Sequence, residues 1–220
     1  MSWTIETPVA AHPDMEELAE AVKEAAAKDI LMFWSTSDQG NSTTDRCYPG
    51  DFPACIQIGG ATDTGEALSW VNAKKVNFLL PGKNVPFLNN EGRVVSYESG
   101  SSVATAAASG LAALLLVCSG LLSAQDKSPG SPQYISRGHE NMSRVFKLLA
   151  SKDQNKFLDV LDFFDRRFKR ALARAELGKD SKSVTLKADS YDLSHMTWGP
   201  SHDVALRSVM DIIREELAKH

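Results

Sequence analysis

From Ser99 to Gln125 the chain carries no charged residue, and that interval constrains everything around it. Its length meets the roughly 20 residues that a membrane-crossing helix needs. Its first half, however, is Ser, Gly, Thr and Ala, and only Leu111 to Leu122 is strongly hydrophobic. No cluster of Lys and Arg flanks either end, so the pattern of a span is incomplete. By itself such a run argues for a plain buried helix. A third reading rests on Gly100-Ser101-Ser102 at the start of the run, after the strand-like "RVVSY". A hydroxyl there sits where backbone N–H groups converge and the helix dipole favours negative charge. Those are the needs of a nucleophilic serine and a developing oxyanion. Ala104, Thr105, Ala106, Ala107 and Ala108 make a small-residue first turn that lets backbone and substrate approach closely.

The 220 residues suffice for one good core, or a core with an appended helical segment. A net charge of −4 and a pI near 5.7 argue against nucleic-acid binding. The charge is unevenly spread: residues 1–125 hold 7 Lys+Arg against 14 Asp+Glu, and residues 126–220 hold 17 against 14. Two segments with different surfaces fit that shift. Cys47, Cys55 and Cys118 form no disulfide framework and no zinc-type pair. Cys47 and Cys55 are close enough in sequence to bridge a short loop, but an odd count favours reduced thiols. The N-terminus lacks the basic start and apolar run of a signal peptide, which favours an intracellular protein.

"HPDMEELAEAVKEAAAKD" predicts a helix opened at Pro13 and Asp14, with Leu18, Val22 and Ala26 along one face. "ILMFW", Ile30 to Trp34, is a continuous apolar run of the kind found in strands buried on both faces. A long loop rich in Ser, Thr, Asp, Gly and Pro follows. "CIQIGGAT" and "VNFLLPG" predict two more strands. The alternation predicts an α/β fold: a three-layer parallel sheet with helices on both faces, followed by an α-helical C-terminal segment. Residues 1–125 form the sheet domain, 126–138 a Pro/Gly/Ser linker, and 139–220 a mostly helical extension. Within that extension, helices are expected over "ENMSRVFKLLASK", over residues 155–178 with Phe157, Leu161, Phe164, Phe168 and Leu172 on one face, and after Ser201. A basic cluster from Arg166 to Arg174 reads as a solvated face, or as a docking surface for an acidic partner.

"SGSSVATAAASGLAALL" resembles the serine motif of the subtilisin-like serine proteases, the subtilases, G-T-S-M-A-T-P-H-V-A-G-x-A-A-L. The likeness places Ser102 on the nucleophile, Ser101 on the preceding Thr, and Gly110 on the helix glycine. "ILMFWSTSDQGNS" is similar to the family's V-V-V-A-A-A-G-N-E-G, which puts Asp38 at the oxyanion-hole position. "CYPGDFPACIQIGGATD" and "LSWVNAKKVNFLLPGKNV" resemble the next two family segments, in order and with compatible spacing. "MSWTI" is similar to the strand that pairs with bound peptide. The resemblance therefore implies a serine endopeptidase acting through an acyl-enzyme at Ser102. It implies a peptide or protein substrate held beside Ser2, Trp3 and Thr4, near Ser35, Thr36, Ser37 and Cys47, and at Gly100 and Ser101.

The family's Asp and His motifs precede the segment that "MSWTI" resembles, and this chain begins there. The fold is accordingly expected to be an incomplete subtilisin-like one, with Met1 an internal methionine and contact with a missing N-terminal half. His12 lacks the family's H-G-T context, and His139, His195, His202 and His220 follow the serine. Single triad losses in such enzymes cost factors of about 10⁴ to 10⁶. Asp38 also departs from the family's asparagine: a carboxylate repels an oxyanion, and losing the donor costs roughly 10² to 10³ in rate. A catalytically inactive, protease-like interaction module is the alternative. No ligand cluster supports a metal, and no cofactor, nucleic acid or membrane partner is expected.

Overall fold

The computed structural model describes residues 13–38, 40, 48–125, 135, 137–151, 156–160, 163 and 200–218. The expected strand at Met1–Ile5, the pocket residue Cys47 and the basic cluster lie outside them, as does nearly all of the helix expected over 155–178. Contacts divide the chain into two compact units, residues 1–116 with 136–158, and residues 117–135 with 159–220.

In the first unit, helix α1 (Pro13–Ala27) begins at the proline, whose missing N–H costs nothing at a helix start. Val22 on its apolar face is buried. Strands β1 (Met32–Ser35), β2 (Cys55–Ala61) and β3 (Phe78–Pro81) make a parallel sheet in that order. All seven residues of β2 are buried, as a central strand covered on both faces requires. β1 departs from the expectation of full burial. Met32, Phe33 and Trp34 are only half-buried and Ile30 is exposed, because among the described residues β1 pairs on one side alone.

Register places Phe33 beside Ile56, and Ile58 beside Phe78, on one sheet face. Helix α3 (His139–Leu149) covers that face, with the Phe146 ring 5.8 Å from Phe33 and 5.4 Å from Phe78. The opposite face packs Ala61 and Leu79 against Leu68, Val71, Val76 and Phe157. Phe157 does not occupy the expected helix. Residues 156–158 instead lie along β3 as a further edge segment: the Leu79 N–H donates to the Lys156 carbonyl and the Leu158 N–H to the Leu79 carbonyl. Pairing an open sheet edge satisfies backbone groups that helix propensity alone would leave bare.

After β3 comes an antiparallel hairpin, β4 (Val85–Leu88) and β5 (Val94–Glu98), which hydrophobic patterning predicted only in its second strand. It leads into helix α2 (Ser101–Gln125). By length and composition α2 is apolar enough to cross a membrane. Within the first unit its buried residues are Ser101, Ala104, Thr105, Ala108, Ala112 and Leu115, the 3–4 residue spacing of a helix face laid on a core. An apolar groove of about 590 Å³, lined by Leu18, Met32, Trp34, Ala112 and Leu116 among others, runs beside β1.

The second unit contains the end of α2 and helix α4 (Pro200–Ala218), which bears out the helix expected after Ser201. Val209, Met210 and Ile213 of α4 are buried. Ser119 accepts the Ile135 N–H at 2.8 Å, satisfying a buried backbone donor. Cys55 and Cys118 are free thiols, so the conceivable Cys47–Cys55 bridge does not form.

Candidate active site

The carboxyl ends of β1, β2 and β3 converge on the first turn of α2. β2 ends in Gly59-Gly60-Ala61, β3 ends at Pro81 just before Gly82, and the turn before α2 contains Gly100. A Cβ on Gly82 would lie 2.8 Å from the Gly100 carbonyl oxygen and 2.9 Å from Gly60 Cα; one on Gly60 would lie 3.3 Å from the same oxygen. Three glycines thus let three backbones touch. The Gly100 N–H donates to the Gly82 carbonyl at 2.8 Å, which anchors the turn. Gly100 itself has φ +144°, a region that side chains avoid.

Ser101 is fully buried. Its hydroxyl accepts the Gly60 N–H at 3.0 Å and donates to Asp38 Oδ1 at 2.5 Å, and its own N–H donates to Asp38 Oδ2 at 2.9 Å. The Thr105 hydroxyl donates to the Ser101 carbonyl at 2.7 Å, closing the first turn from below. Ser102, one residue on, is exposed. A Cβ on Gly100 would sit 3.3 Å from Asp38 Oδ2 and 3.4 Å from Ser102 Oγ, so these two oxygens crowd the side of the glycine where a side chain would project.

Ser35 ends β1, Thr36 and Ser37 follow it, and all three are buried. The Thr36 N–H extends the ladder to the Ile58 carbonyl at 2.9 Å, and the Ser37 hydroxyl is buried without a hydrogen-bond partner among the described residues. Asp38 then turns outward at the strand end to reach Ser101. The chain re-enters the described region through a cis Tyr48–Pro49 peptide. Ser2, Trp3, Thr4 and Cys47 lie outside the described residues, so Asp38, Gly100, Ser101 and Ser102 are the expected site residues that come together, with Ser35 to Ser37 beneath them.

Sequence reasoning missed Gly60 and Gly82, although a Gly-Gly pair inside a strand signals close backbone approach. It also missed that Asp38 and Ser101 form one hydrogen-bonded unit. No histidine bonds the Ser102 hydroxyl among the described residues, and none of them forms a cluster of three or more His, Cys, Asp or Glu able to hold a metal.

A model of the subtilase family matches residues 1–125. An intracellular serine protease of Paenibacillus polymyxa is 30% identical over 106 residues, covering 46% of this chain and 32% of its own length. The self-cleaved protease domain of PatA superposes with a TM-score of 0.52 at 21% identity, over 73% of this chain and 57% of that one. The prenylagaramide maturation protease PagA does so with a TM-score of 0.50 at 22% identity, over 72% and 57%. These structural likenesses establish the fold, an incomplete subtilisin-like α/β arrangement. The chain spans about a third of the curated relative and just over half of each solved chain.

Proposed function

Since the chain belongs to the subtilase family of serine proteases, we propose that it supplies the nucleophile half of a serine endopeptidase site. Ser102 Oγ attacks the scissile carbonyl, the peptide C–N bond breaks, and an ester to Ser102 remains until water hydrolyses it. The proton leaving Oγ passes to a general base and from there to the departing amine. That base, and the acid that orients it, would come from a segment carrying the family's Asp and His motifs, which would pair along the side of β1 that is open among the described residues. The Ser102 N–H, in the first turn of α2, has no intrahelical partner and is available to a developing oxyanion.

The observation that carries this reading is an exposed Ser102 directly after a Ser101 that is fully buried and bonded on three sides. The two are consecutive residues in the first turn of α2, right after the Gly100 turn, and the helix rotation between them sets Ser101 against the sheet and Ser102 at the surface, as a presented nucleophile requires. Substrate would extend beside Ser2, Trp3 and Thr4, with Ser35 to Ser37 and Cys47 near the pocket for the residue before the scissile bond. An intracellular setting agrees with the name of the Paenibacillus polymyxa relative. The test is covalent labelling by a fluorophosphonate probe, with and without an added polypeptide carrying the D-x-G and H-G-T motifs. Labelling that vanishes in Ser102→Ala supports the peptidase; none under either condition refutes it.

A second reading, a non-catalytic protease-like interaction module, is favoured by Asp38 standing where the family has a neutral donor. It expects no labelling under either condition.

A further inference from the structure

We propose that Asp38 is a positioning residue that locks the serine-bearing turn, and that it is matched to Ser101 rather than being a degraded oxyanion donor. The inference rests on Ser102 being the nucleophile as read above. Ser101 carries two hydrogens that need acceptors, on its backbone nitrogen and its hydroxyl, and the two oxygens of Asp38 take one each. The hydroxyl oxygen in turn accepts the Gly60 N–H. All three bonds end on Ser101, which has no solvent exposure, while Asp38 reaches it from the exposed side, so loss of the carboxylate leaves two donors of a buried residue without their acceptor.

An asparagine in the same two-pronged geometry would keep one acceptor and turn its amide N–H groups toward the other Ser101 donor, so one of the two bonds is lost. The carboxylate also places negative charge at the N-terminus of α2, where the helix dipole is favourable. Through Ser101, β1 and β2 both hold the turn: Asp38 follows the one and Gly60 lies in the other. With both oxygens engaged, Asp38 has no donor to offer a reaction intermediate, and stabilisation of an oxyanion falls to backbone N–H groups.

Asp38→Asn, Ser101→Ala and the double variant form a cycle on the full chain, with Ser101→Thr as the hydroxyl-retaining control. Hydrogen exchange of the amides in residues 98–104 reads the turn directly. Each single variant is expected to speed exchange there by about tenfold or more, the double no more than either single, and Ser101→Thr to restore protection. Where Ser102 labels with the fluorophosphonate, the maximal labelling rate falls by a similar factor while the half-saturating probe concentration stays constant. Wild-type exchange in Asp38→Asn, strictly additive effects, or faster labelling of Asp38→Asn would each overturn the proposal. Absence of labelling in every form refutes the peptidase reading alone, and the exchange cycle still decides the role of Asp38.

Discussion

The Lys156 ammonium donates to the Val76 carbonyl oxygen at 2.7 Å across 80 residues of sequence. It also reaches the carbonyls of Ala73 at 2.8 Å and Lys74 at 3.4 Å, so one cation gathers three oxygens at the end of a loop, two of them in partly buried bonds. The adjacent Phe157 enters the core beside Val71 and Leu79. Residues 156–158 are therefore stitched to the parallel sheet by a charge, a ring and two backbone bonds. Lys156→Met keeps the apolar stem but strands the carbonyls. It is expected to cost about 1–3 kcal/mol, seen as a lower urea midpoint with an unchanged slope.

Burial at the start of β2 pushes the Cys55 thiol up from 9.0 to about 11. The folded state thus holds this proton more tightly than the unfolded chain. Stability from Cys55 is complete below pH 9 and is lost as pH rises from 9 towards 11. Cys55→Ala should lower stability at neutral pH through the lost packing, yet flatten the decline over that window. Urea titrations at pH 8 and pH 10.5 check the difference in slope. In the same protein iodoacetamide should modify Cys55 only after unfolding, since the residue is 4% exposed.

Much of the α/β order was legible because long apolar runs have few alternatives. β2 and α2 lie where continuous hydrophobicity put them, and α1 begins at its proline. The departures arise where partners far along the chain decide. Phe157 follows a helical phase in sequence, yet an open β3 edge draws it into strand pairing. β4 contains Pro86 and is too short to announce itself, although the turn at residues 89–93 is secured by Asn89 accepting the N–H groups of Glu91 and Arg93. At the candidate site, motif order singled out Asp38 and Ser102, and the structure brings them to the same turn. Their relation through Ser101 could not be read, because a carboxylate where the family has asparagine looks like a loss until its two oxygens are seen to be occupied.

The hairpin itself concentrates exposed apolar surface. Phe87, Leu88, Val94, Val95 and Tyr97 are all roughly half or more exposed. Patches of this kind drive association, and an unshielded strand edge adds to the tendency. Phe87→Ser with Tyr97→Ser should raise the concentration at which the chain precipitates and reduce binding of a hydrophobic dye. Because neither side chain is part of the core, the unfolding free energy should change by less than about 0.5 kcal/mol per site. A large loss of stability would mean that the hairpin is held by contacts of these rings.

Gly82→Ala is the most direct probe of how the turn is seated. The new methyl would meet the Gly100 carbonyl oxygen at 2.8 Å and Gly60 Cα at 2.9 Å, both backbone atoms with no rotamer to swing away. Relief must come from lifting the Gly100 turn off the ends of β2 and β3, which stretches the bond from the Gly100 N–H to the Gly82 carbonyl. The bond from Gly60 to the Ser101 hydroxyl lengthens with it, and the grip of Asp38 on Ser101 loosens in turn. Overpacking of this type costs about 1–3 kcal/mol. The same methyl at Gly110, which has nothing within 4 Å, should be neutral or slightly stabilising, since alanine is the better helix former. Thermal unfolding of the two variants side by side separates a general effect of replacing glycine from the specific contact. Equal melting temperatures for Gly82→Ala and wild type would show that the three backbones are not in the close contact described.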